Sequence, residues 1–266
     1  MSAFGGEADV QGRVALTASV ATDPKATRPQ ARQRPLWLHS REKALKLSFH
    51  GADRDVTGSC HLVECVGKHI LIDCGLYQGS GEVAEENTSD FGFDPASIDW
   101  VLLTHAHLDH CWRLPLLTKR CFRGEIITTA ATHELARLVM LDAAHLQEEE
   151  ARSNLRQAAR QDANRKPTAP LYTVLDALNS LDSFGRSAVY GQPVDLAQGI
   201  RATFIDAGHI LCSASILLEL TEVGRRLSLL FSGDLGNAGR PLLRPDRKST
   251  RLNSSHSGES RMPSSA

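Results

Sequence analysis

The chain has 266 residues, of which 41% are hydrophobic and 23% are charged, so it can bury a core as a globular domain. Its 30 Lys and Arg residues oppose 31 Asp and Glu residues, and the formal net charge of -1 at pH 7 excludes a global positive field that attracts nucleic acid. No apolar run reaches the roughly 18 residues of a membrane-spanning helix, and the first residues lack a signal-peptide pattern. The six cysteines form no Cys-x-x-Cys pair, so a cytoplasmic protein with reduced thiols is predicted.

Both ends of the chain differ in composition from its middle. Residues 1–43 are rich in Ala, Arg, Pro and Gln and have almost no apolar periodicity, which predicts a disordered leader or a start codon assigned too far upstream. Residues 246–266 are rich in serine and have no aromatic or β-branched aliphatic residue, which predicts a disordered or non-native tail. One domain is therefore expected over residues 44–245.

The middle of the chain begins with strand patterns. Apolar and polar residues alternate over 45–49, and apolar runs at 61–66 and 69–73 flank the short turn Gly67-Lys68, which predicts a β-hairpin. A third apolar run, at 98–103, predicts another strand. This strand ends directly in a cluster of histidines.

Helical and strand patterns follow along the chain. A period of 3.6 residues predicts a helix that is capped by Thr132; its apolar face is formed by Leu135, Leu138, Val139, Leu141 and Leu146. A second short helix is expected over 173–181. Strands are predicted again at 200–205, 215–220 and 227–231. Strands, then helices, then strands indicate a layered α/β or α+β domain rather than a helical bundle or a simple sandwich.

The segment after the third apolar run concentrates metal-ligand chemistry. It reads Thr104-His-Ala-His-Leu-Asp-His110, and neutral imidazoles and carboxylates are ligands for Zn²⁺ and related divalent ions. On a tight loop, His105 and His107 can point to one centre while Asp109 and His110 turn toward a second. The alternative is a set of surface histidines, but ligand-type residues grouped at a strand end are seldom only solubilising.

Three further strands end in ligand-type residues. Asp73 follows the hairpin, His209 follows the strand at 200–205, and Asp234 follows the strand at 227–231. Carboxylates and histidines collected at one edge of a sheet build a metal site on rigid elements. Taken singly, each residue is open to the alternative of a turn residue or a helix cap, and it is their order together that favours a site.

The order Asp, His-x-His-x-Asp-His, His, Asp resembles that of the metallo-β-lactamase superfamily. Within it, the sequence resembles the bacterial RNA-processing branch with a β-CASP domain, related to RNA exonucleases and to the polyadenylation-cleavage nuclease. The segments that carry the resemblance are 51–60, 71–79, 104–110, 207–211 and 231–236. The resemblance implies a metallo-β-lactamase-like αββα sandwich, of which this chain holds the N-terminal part.

The resemblance also implies an active site with two Zn²⁺ ions. The implied metal ligands are His105, His107, Asp109, His110, His209 and Asp234. The first two histidines and His209 are expected to hold one ion, Asp109 and His110 to hold the other, and Asp234 to bridge both. Asp73 is expected to orient the ligand loop from outside. A dizinc-bound hydroxide is expected to attack an RNA phosphodiester, so the candidate catalytic residues are Asp73, Asp109 and Asp234.

The implied function is therefore that of a zinc-dependent ribonuclease, with RNA as its partner and no membrane. In the family, a β-CASP domain follows the segment that contains Asp234 and supplies a further metal ligand and a proton for the leaving group. After Asp234 the given sequence contains one histidine, His256. The chain is therefore expected to bind metal incompletely and to be weakly active or inactive alone; a homo-oligomer is compatible with the sequence.

Two other functions stay open at this point. A dizinc hydrolase of a small ester, thioester or lactam needs the same ligands, although the segments 56–59 and 231–234 favour RNA. A non-catalytic RNA-binding scaffold or a gene fragment is the second alternative. Inactive scaffolds typically lack metal ligands, whereas every ligand expected up to residue 234 is present here.

Side chains close to the metal loop also have two interpretations. Cys111 is either a metal ligand or, as is favoured, a packed thiol. The basic residues Arg113, Lys119, Arg120 and Arg123 either meet RNA phosphates or form a solvated helix face. The histidines at 39, 50, 61, 69, 133 and 145 have no ligand spacing and are expected to have surface or ordinary hydrogen-bonded roles.

Overall fold

The strands and helices are taken from a computed structural model, which describes residues 16–19, 45–51, 57–77, 87–161, 169–222 and 225–236. The strands are β1 Leu16–Ser19, β2 Lys46–Phe49, β3 His61–Cys65, β4 Lys68–Ile72, β5 Trp100–Leu102, β6 Glu125–Thr129, β7 Phe184–Ala188, β8 Pro193–Ala197, β9 Ile200–Asp206, β10 Ala214–Glu222 and β11 Arg225–Phe231. The helices are α1 Leu108–Cys111, α2 Leu114–Lys119, α3 Ala130–Gln161 and α4 Val174–Ser180. Short 3₁₀ turns lie at Pro95–Ser97 and Leu181–Ser183.

The strands form two sheets. One has the order β1-β11-β10-β9-β8 and the other the order β2-β3-β4-β5-β6-β7. All pairs of the first sheet are antiparallel, whereas β4 to β7 of the second sheet run parallel. Because parallel strands end at the same edge of a sheet, the loops that follow β4, β5 and β6 lie side by side.

The six-stranded sheet separates two hydrophobic cores, because successive side chains of a strand point to opposite faces. Ile70, Ile72 and Leu102 pack against the apolar face of the five-stranded sheet. Leu71 and Val101 pack against side chains from α1 to α4. The described residues therefore form three layers, helices on sheet on sheet. The expected α/β class is confirmed, and these are three of the four layers of the expected αββα sandwich.

The predicted β-hairpin is present as β3 and β4. The two strands pair from His61 with Ile72 to Cys65 with Lys68. The turn consists of Val66-Gly67, one residue earlier than predicted, with φ values of 50° and 71°. Two consecutive residues with positive φ form the tight turn whose twist matches that of the flanking strands.

Helix α3 is present, and Leu135, Val139 and Leu141 of its predicted apolar face pack against the core, but its cap and the rest of that face differ from the prediction. The helix begins at Ala130, and the hydroxyl of Thr129 accepts a hydrogen bond from the Thr132 amide at 3.4 Å, so Thr132 lies in the first turn. Leu138 and Leu146, predicted to be on the apolar face, are exposed. The buried positions are Thr132, Ala136, Met140, Ala143 and Ala144. No helix in the described ranges, α3 included, is long and apolar enough to cross a membrane.

Four strands have no counterpart among the predicted elements: β1, β6, β7 and β8. Strand β6 lies between β5 and β7, whereas the other three are edge strands. The sequences of β7 and β8 are rich in small and polar residues, so they lack a regular apolar alternation. Strand β1 lies inside the segment 1–43 and pairs antiparallel with β11, so the expectation of a leader without structure does not hold for residues 16–19. The rest of that segment and the tail 246–266 lie outside the described residues, and the domain boundaries stay predictions.

Candidate metal centre

The ligand-type residues predicted from the sequence meet at one edge of the two sheets. Asp73 follows β4 and His105 lies in the loop after β5, and these parallel strands end side by side. The five-stranded sheet reaches the same edge, because the N–H of Ala214 at the start of β10 donates to the carbonyl of Thr104 at 2.9 Å. This contact brings the loop between β9 and β10 close to the loop after β5.

Four ligand atoms converge in this place. The Nδ1 atom of His107 lies 3.1 Å from Nε2 of His105 and 3.2 Å from Nε2 of His209. The Oδ2 atom of Asp234 lies 3.3 Å from Nε2 of His209 and 3.8 Å from Nε2 of His105. All four atoms lie within 4.8 Å of one another. We call these four residues the first donor group.

A second donor group, formed by Asp109 and His110, lies on the other side of Asp234. The Nε2 atom of His110 is 3.5 Å from Oδ1 of Asp234 and 3.8 Å from Oδ2 of Asp109. Asp234 therefore presents Oδ2 to the first donor group and Oδ1 to the second. This is the arrangement that a carboxylate bridging two cations requires.

The spacing of the first donor group fits a small divalent ion. With ligand distances of about 2.0–2.2 Å, the donors at the corners of a tetrahedron are about 3.3–3.6 Å apart, and the four distances above range from 3.1 to 3.8 Å. Nitrogen and carboxylate oxygen are ligands of this class of ion. The side chain of His105 is 1% exposed whereas that of Asp234 is 41% exposed, so the group opens to solvent on the Asp234 side.

The electrostatics of the two donor groups differ. Burial, together with the neighbouring His110, lowers the pKa of His105 to about 2, so this ring is neutral at pH 7. Burial also acts to lower the pKa of His110, but the carboxylates of Asp73, Asp234 and Asp109 outweigh it and raise that pKa to about 10. The hydrogen bond from His110 holds the pKa of Asp234 well below its usual range. A cation at the second donor group therefore has to displace a proton from His110.

Asp73 is 1% exposed and lies on the buried side of both donor groups. Its Oδ2 atom lies 2.7 Å from Nδ1 of His110. It also accepts hydrogen bonds from the amide and the hydroxyl of Thr104, at 2.8 and 2.9 Å, and from the hydroxyl of Ser59 at 3.3 Å. Its φ of 59° lies in the left-handed region, which Asp tolerates better than most residues. Strained conformations held by the surroundings are concentrated at functional sites.

The loop that carries His209 is held by hydroxyl groups. The hydroxyl of Ser213 accepts hydrogen bonds from the amides of His209 and Ile210 at 3.0 and 3.2 Å. The hydroxyls of Thr129 and Thr132 both donate to the carbonyl of Cys212, at 2.8 and 3.0 Å. The end of β6 and the start of α3 therefore hold the loop that positions His209.

Two glycines permit the close approach of the loops that carry the carboxylates. A Cβ atom at Gly75 would overlap the carbonyl oxygen of Asp109, and one at Gly236 would overlap that of Gly208. Only glycine fits at such contacts. They bring the loop after β4 against the start of α1, and the end of β11 against the loop after β9.

Other residues considered from the sequence have structural roles. Cys111 is fully buried in the core beneath the helices, and burial raises the pKa of its thiol, which favours a packed, protonated thiol over a metal ligand. Arg113 is 2% exposed and packs over Phe91. Lys119 pairs with Asp176 at 2.9 Å. These two basic side chains therefore do not form a free surface for phosphates.

Two residues that contact the site, Thr104 and Ser213, were given no role from the sequence. Thr104 belongs to the segment 104–110, but its hydrogen bonds to Asp73 and its contact with His105 were not expected. Ser213 lies four residues after His209, and only the folded loop shows that its hydroxyl binds the backbone there. Ser59 was expected as part of the segment 51–60, but its contact with Asp73 was not.

Several known proteins are similar in sequence to this chain. Ribonuclease TTHA0252 of Thermus thermophilus is 37% identical over 196 residues, which cover 74% of this chain and 39% of that protein. The transcription termination factor FttA of Methanosarcina mazei is 30% identical, with 73% of this chain and 28% of that protein covered. The endoribonuclease YSH1 of Gibberella zeae is 28% identical, with 69% and 20% covered. The chain thus spans about two fifths or less of the length of these relatives.

The family model that describes the metallo-β-lactamase superfamily matches residues 53–261. The match includes both donor groups and extends over more than half of the chain. The order of the ligand-type residues, the paired sheets and this match agree. The chain belongs to the metallo-β-lactamase superfamily.

Proposed function

We propose that this chain carries the metal centre of a zinc-dependent ribonuclease of the RNA-metabolising β-CASP branch. The observation that carries the proposal is that Asp234 presents one oxygen to each of two donor groups. Two of the relatives described above are named as ribonucleases, which supports an RNA phosphodiester as the substrate. We propose RNA as the partner of the complete protein.

In this proposal, the first donor group holds one Zn²⁺ ion through His105, His107, His209 and Asp234. Asp109, His110 and the other oxygen of Asp234 hold a second ion. When bound, such ions supply Lewis acidity: they activate water and neutralise negative charge on phosphoryl oxygens.

The protein's own residues have complementary tasks. His105 and His110 are almost fully buried and fix the ligand geometry from the protein side. The side chains of His209, Asp109 and Asp234 are 22%, 20% and 41% exposed, so the substrate approaches from their side. The deprotonated Asp234 places negative charge between the histidines of the first donor group and the second donor group. This charge favours the binding of cations there over the binding of a bare phosphate.

The proposal is tested by single-turnover cleavage of 5′-labelled single-stranded RNA, with the zinc-reconstituted chain in excess, so that a weak activity is visible. We expect slow RNA cleavage that EDTA abolishes, and we expect His107→Ala to lower its rate by about 100-fold or more, since even residues behind the ligands contribute about 10–100-fold. His69→Ala is the matched control, because His69 lies at the opposite end of β4 and outside both donor groups.

A chromogenic lactam and a thioester are assayed in parallel with the same preparations. The proposal predicts that neither is hydrolysed at a rate that depends on His107. Zinc-dependent hydrolysis of either compound without cleavage of RNA would contradict it and favour a small-molecule hydrolase. Failure of the chain to bind zinc at the two donor groups would also contradict it.

A further inference from the structure

We infer that Thr104 is a positioning residue that fixes the ring of His105 and connects it to Asp73, so that one buried carboxylate orients a ligand in each donor group. This inference rests on the proposed metal centre. Thr104 is fully buried and lies between the end of β5 and His105. Its hydroxyl oxygen is 2.9 and 3.0 Å from the two carboxylate oxygens of Asp73 and 3.0 Å from Nδ1 of His105.

The hydrogen atoms available define the direction of these hydrogen bonds. The hydroxyl of Thr104 has one proton, and an ionised carboxylate only accepts hydrogen bonds, so this proton goes to Asp73. The lone pair of the hydroxyl then faces Nδ1 of His105 and accepts a hydrogen bond from it. A neutral imidazole has only one N–H group, so Nε2 of His105 is left with its lone pair toward the first donor group.

The second donor group depends on the same carboxylate by a shorter connection. Nδ1 of His110 lies 2.7 Å from Oδ2 of Asp73, which leaves Nε2 of His110 facing Asp109 and Asp234. Asp73 thus acts on His110 directly and on His105 through the hydroxyl of Thr104. Partners that bind the second nitrogen of a ligating histidine contribute about 10–100-fold to metal affinity.

The test compares Thr104→Val, which removes the hydroxyl but keeps the shape, with Thr104→Ser, which keeps the hydroxyl. Thr128→Val is the matched control, because Thr128 is also buried, on the neighbouring strand β6, and its hydroxyl donates to the carbonyl of Leu103 at 2.8 Å without contacting either donor group. The metal-free 266-residue chain and each variant are titrated with Zn²⁺ in competition with a chromophoric chelator. Circular dichroism verifies that each variant is folded.

We expect Thr104→Val to weaken zinc binding by about 10–100-fold, whereas Thr104→Ser and Thr128→Val bind within about threefold of the unchanged chain. Unchanged zinc affinity in folded Thr104→Val would overturn the inference, as would an equal loss in Thr128→Val, which would indicate a general effect of removing a buried hydroxyl.

A second measurement does not depend on zinc. In the metal-free chain labelled with ¹⁵N-histidine, NMR spectra distinguish the two neutral tautomers of His105. We expect the Nδ1–H tautomer in the unchanged chain and in Thr104→Ser, and a mixture or the Nε2–H tautomer in Thr104→Val. The same tautomer in all three proteins would overturn the inference. If the unchanged chain binds no zinc, the proposed function fails, while the tautomer spectra still decide the role of Thr104.

Discussion

Asp73 and His110 show how single side chains adjust the charge of the site. A buried carboxylate with hydrogen bonds from two hydroxyls and one amide stays satisfied without solvent, and it lies against the imidazole of His110. Together with Asp234 and Asp109, it raises the pKa of His110 to about 10 against the lowering effect of burial. The folded chain without metal therefore keeps a proton on His110 at pH 7.

The raised pKa of His110 predicts that the stability of the metal-free protein depends on pH. An unfolded histidine loses its proton above about pH 6.5, whereas folded His110 keeps it up to about pH 10. The contribution of protonated His110 to the free energy of unfolding is therefore fully present below about pH 6.5. It is lost progressively as the pH rises toward 10. Urea unfolding at pH 7 and 8.5 measures it. We expect the free energy of unfolding to fall with pH in the unchanged chain.

The variant His110→Gln removes the titrating group and serves as the comparison. Its free energy of unfolding is expected to change less between pH 7 and 8.5 than that of the unchanged chain. The same change in both proteins would show that His110 does not carry a raised pKa in the folded state.

At the scale of elements, the loop between β9 and β10 positions His209 and contains Cys212 with a φ of 57°. This left-handed conformation costs a residue with a Cβ atom roughly 1–2 kcal/mol and suits glycine. The carbonyl of Cys212 accepts one hydrogen bond from the end of β6 and one from the start of α3, and these contacts hold the loop in place.

We therefore predict that Cys212→Gly is more stable than Cys212→Ala by about 1 kcal/mol in the free energy of unfolding. Both variants lose the thiol, and only the glycine variant also loses the Cβ atom that is strained at positive φ. Urea unfolding of the two variants gives the comparison. Equal stability, or a more stable alanine variant, would show that the loop does not hold this residue in the left-handed region.

Strands and helices were predictable from the sequence where one side of the element is apolar and packs against the core. The hairpin of β3 and β4 and the short helix α4 have strong local signals, the latter a capping box of Thr173 and Asp176. The predicted buried face of α3 was correct in part. Leu135, Val139 and Leu141 pack against the core, whereas Leu138 is exposed because small residues such as Ala136 and Ala144 occupy the fully buried positions. Edge strands pack on fewer neighbours, and for this reason β7 and β8 carry little apolar pattern.

The ligand-type residues were predictable because each follows a strand, and strands of one edge bring their ends together. The structure brings together all six predicted metal ligands, with Asp73 behind them. Sequence could not reveal the hydrogen bonds of Thr104 or Ser213, since these depend on how the loops lie against one another. Only the folded backbone brings these hydroxyls within hydrogen-bond distance of their partners.

At the scale of the whole molecule, the first donor group joins the two sheets. His105 and His107 follow β5 of the six-stranded sheet, whereas His209 and Asp234 follow β9 and β11 of the five-stranded sheet. In the metal-free chain, the hydrogen bond from Ala214 to Thr104 is one of the contacts that connect the two sheets at this edge. A bound ion adds a direct connection between the sheets.

Zinc binding is therefore expected to stabilise the folded chain. At a free zinc concentration of 100 times Kd, the free energy of unfolding rises by about 2.7 kcal/mol, which urea unfolding in a metal buffer measures. His209→Ala, which removes the only histidine that the five-stranded sheet contributes to the first donor group, is expected to lose most of this gain. His69→Ala is expected to keep it. An equal gain in His209→Ala would mean that zinc binds elsewhere.

Anomalous diffraction at the zinc edge, from crystals of the zinc-reconstituted chain, tests most directly whether the two donor groups form a metal centre. We predict an anomalous peak about 2.0–2.2 Å from Nε2 of His105, Nδ1 of His107 and Nε2 of His209, with Asp234 as its fourth ligand. A second, weaker peak is expected beside Asp109 and His110. Crystals that contain stoichiometric zinc but show no peak at the first donor group would contradict the account.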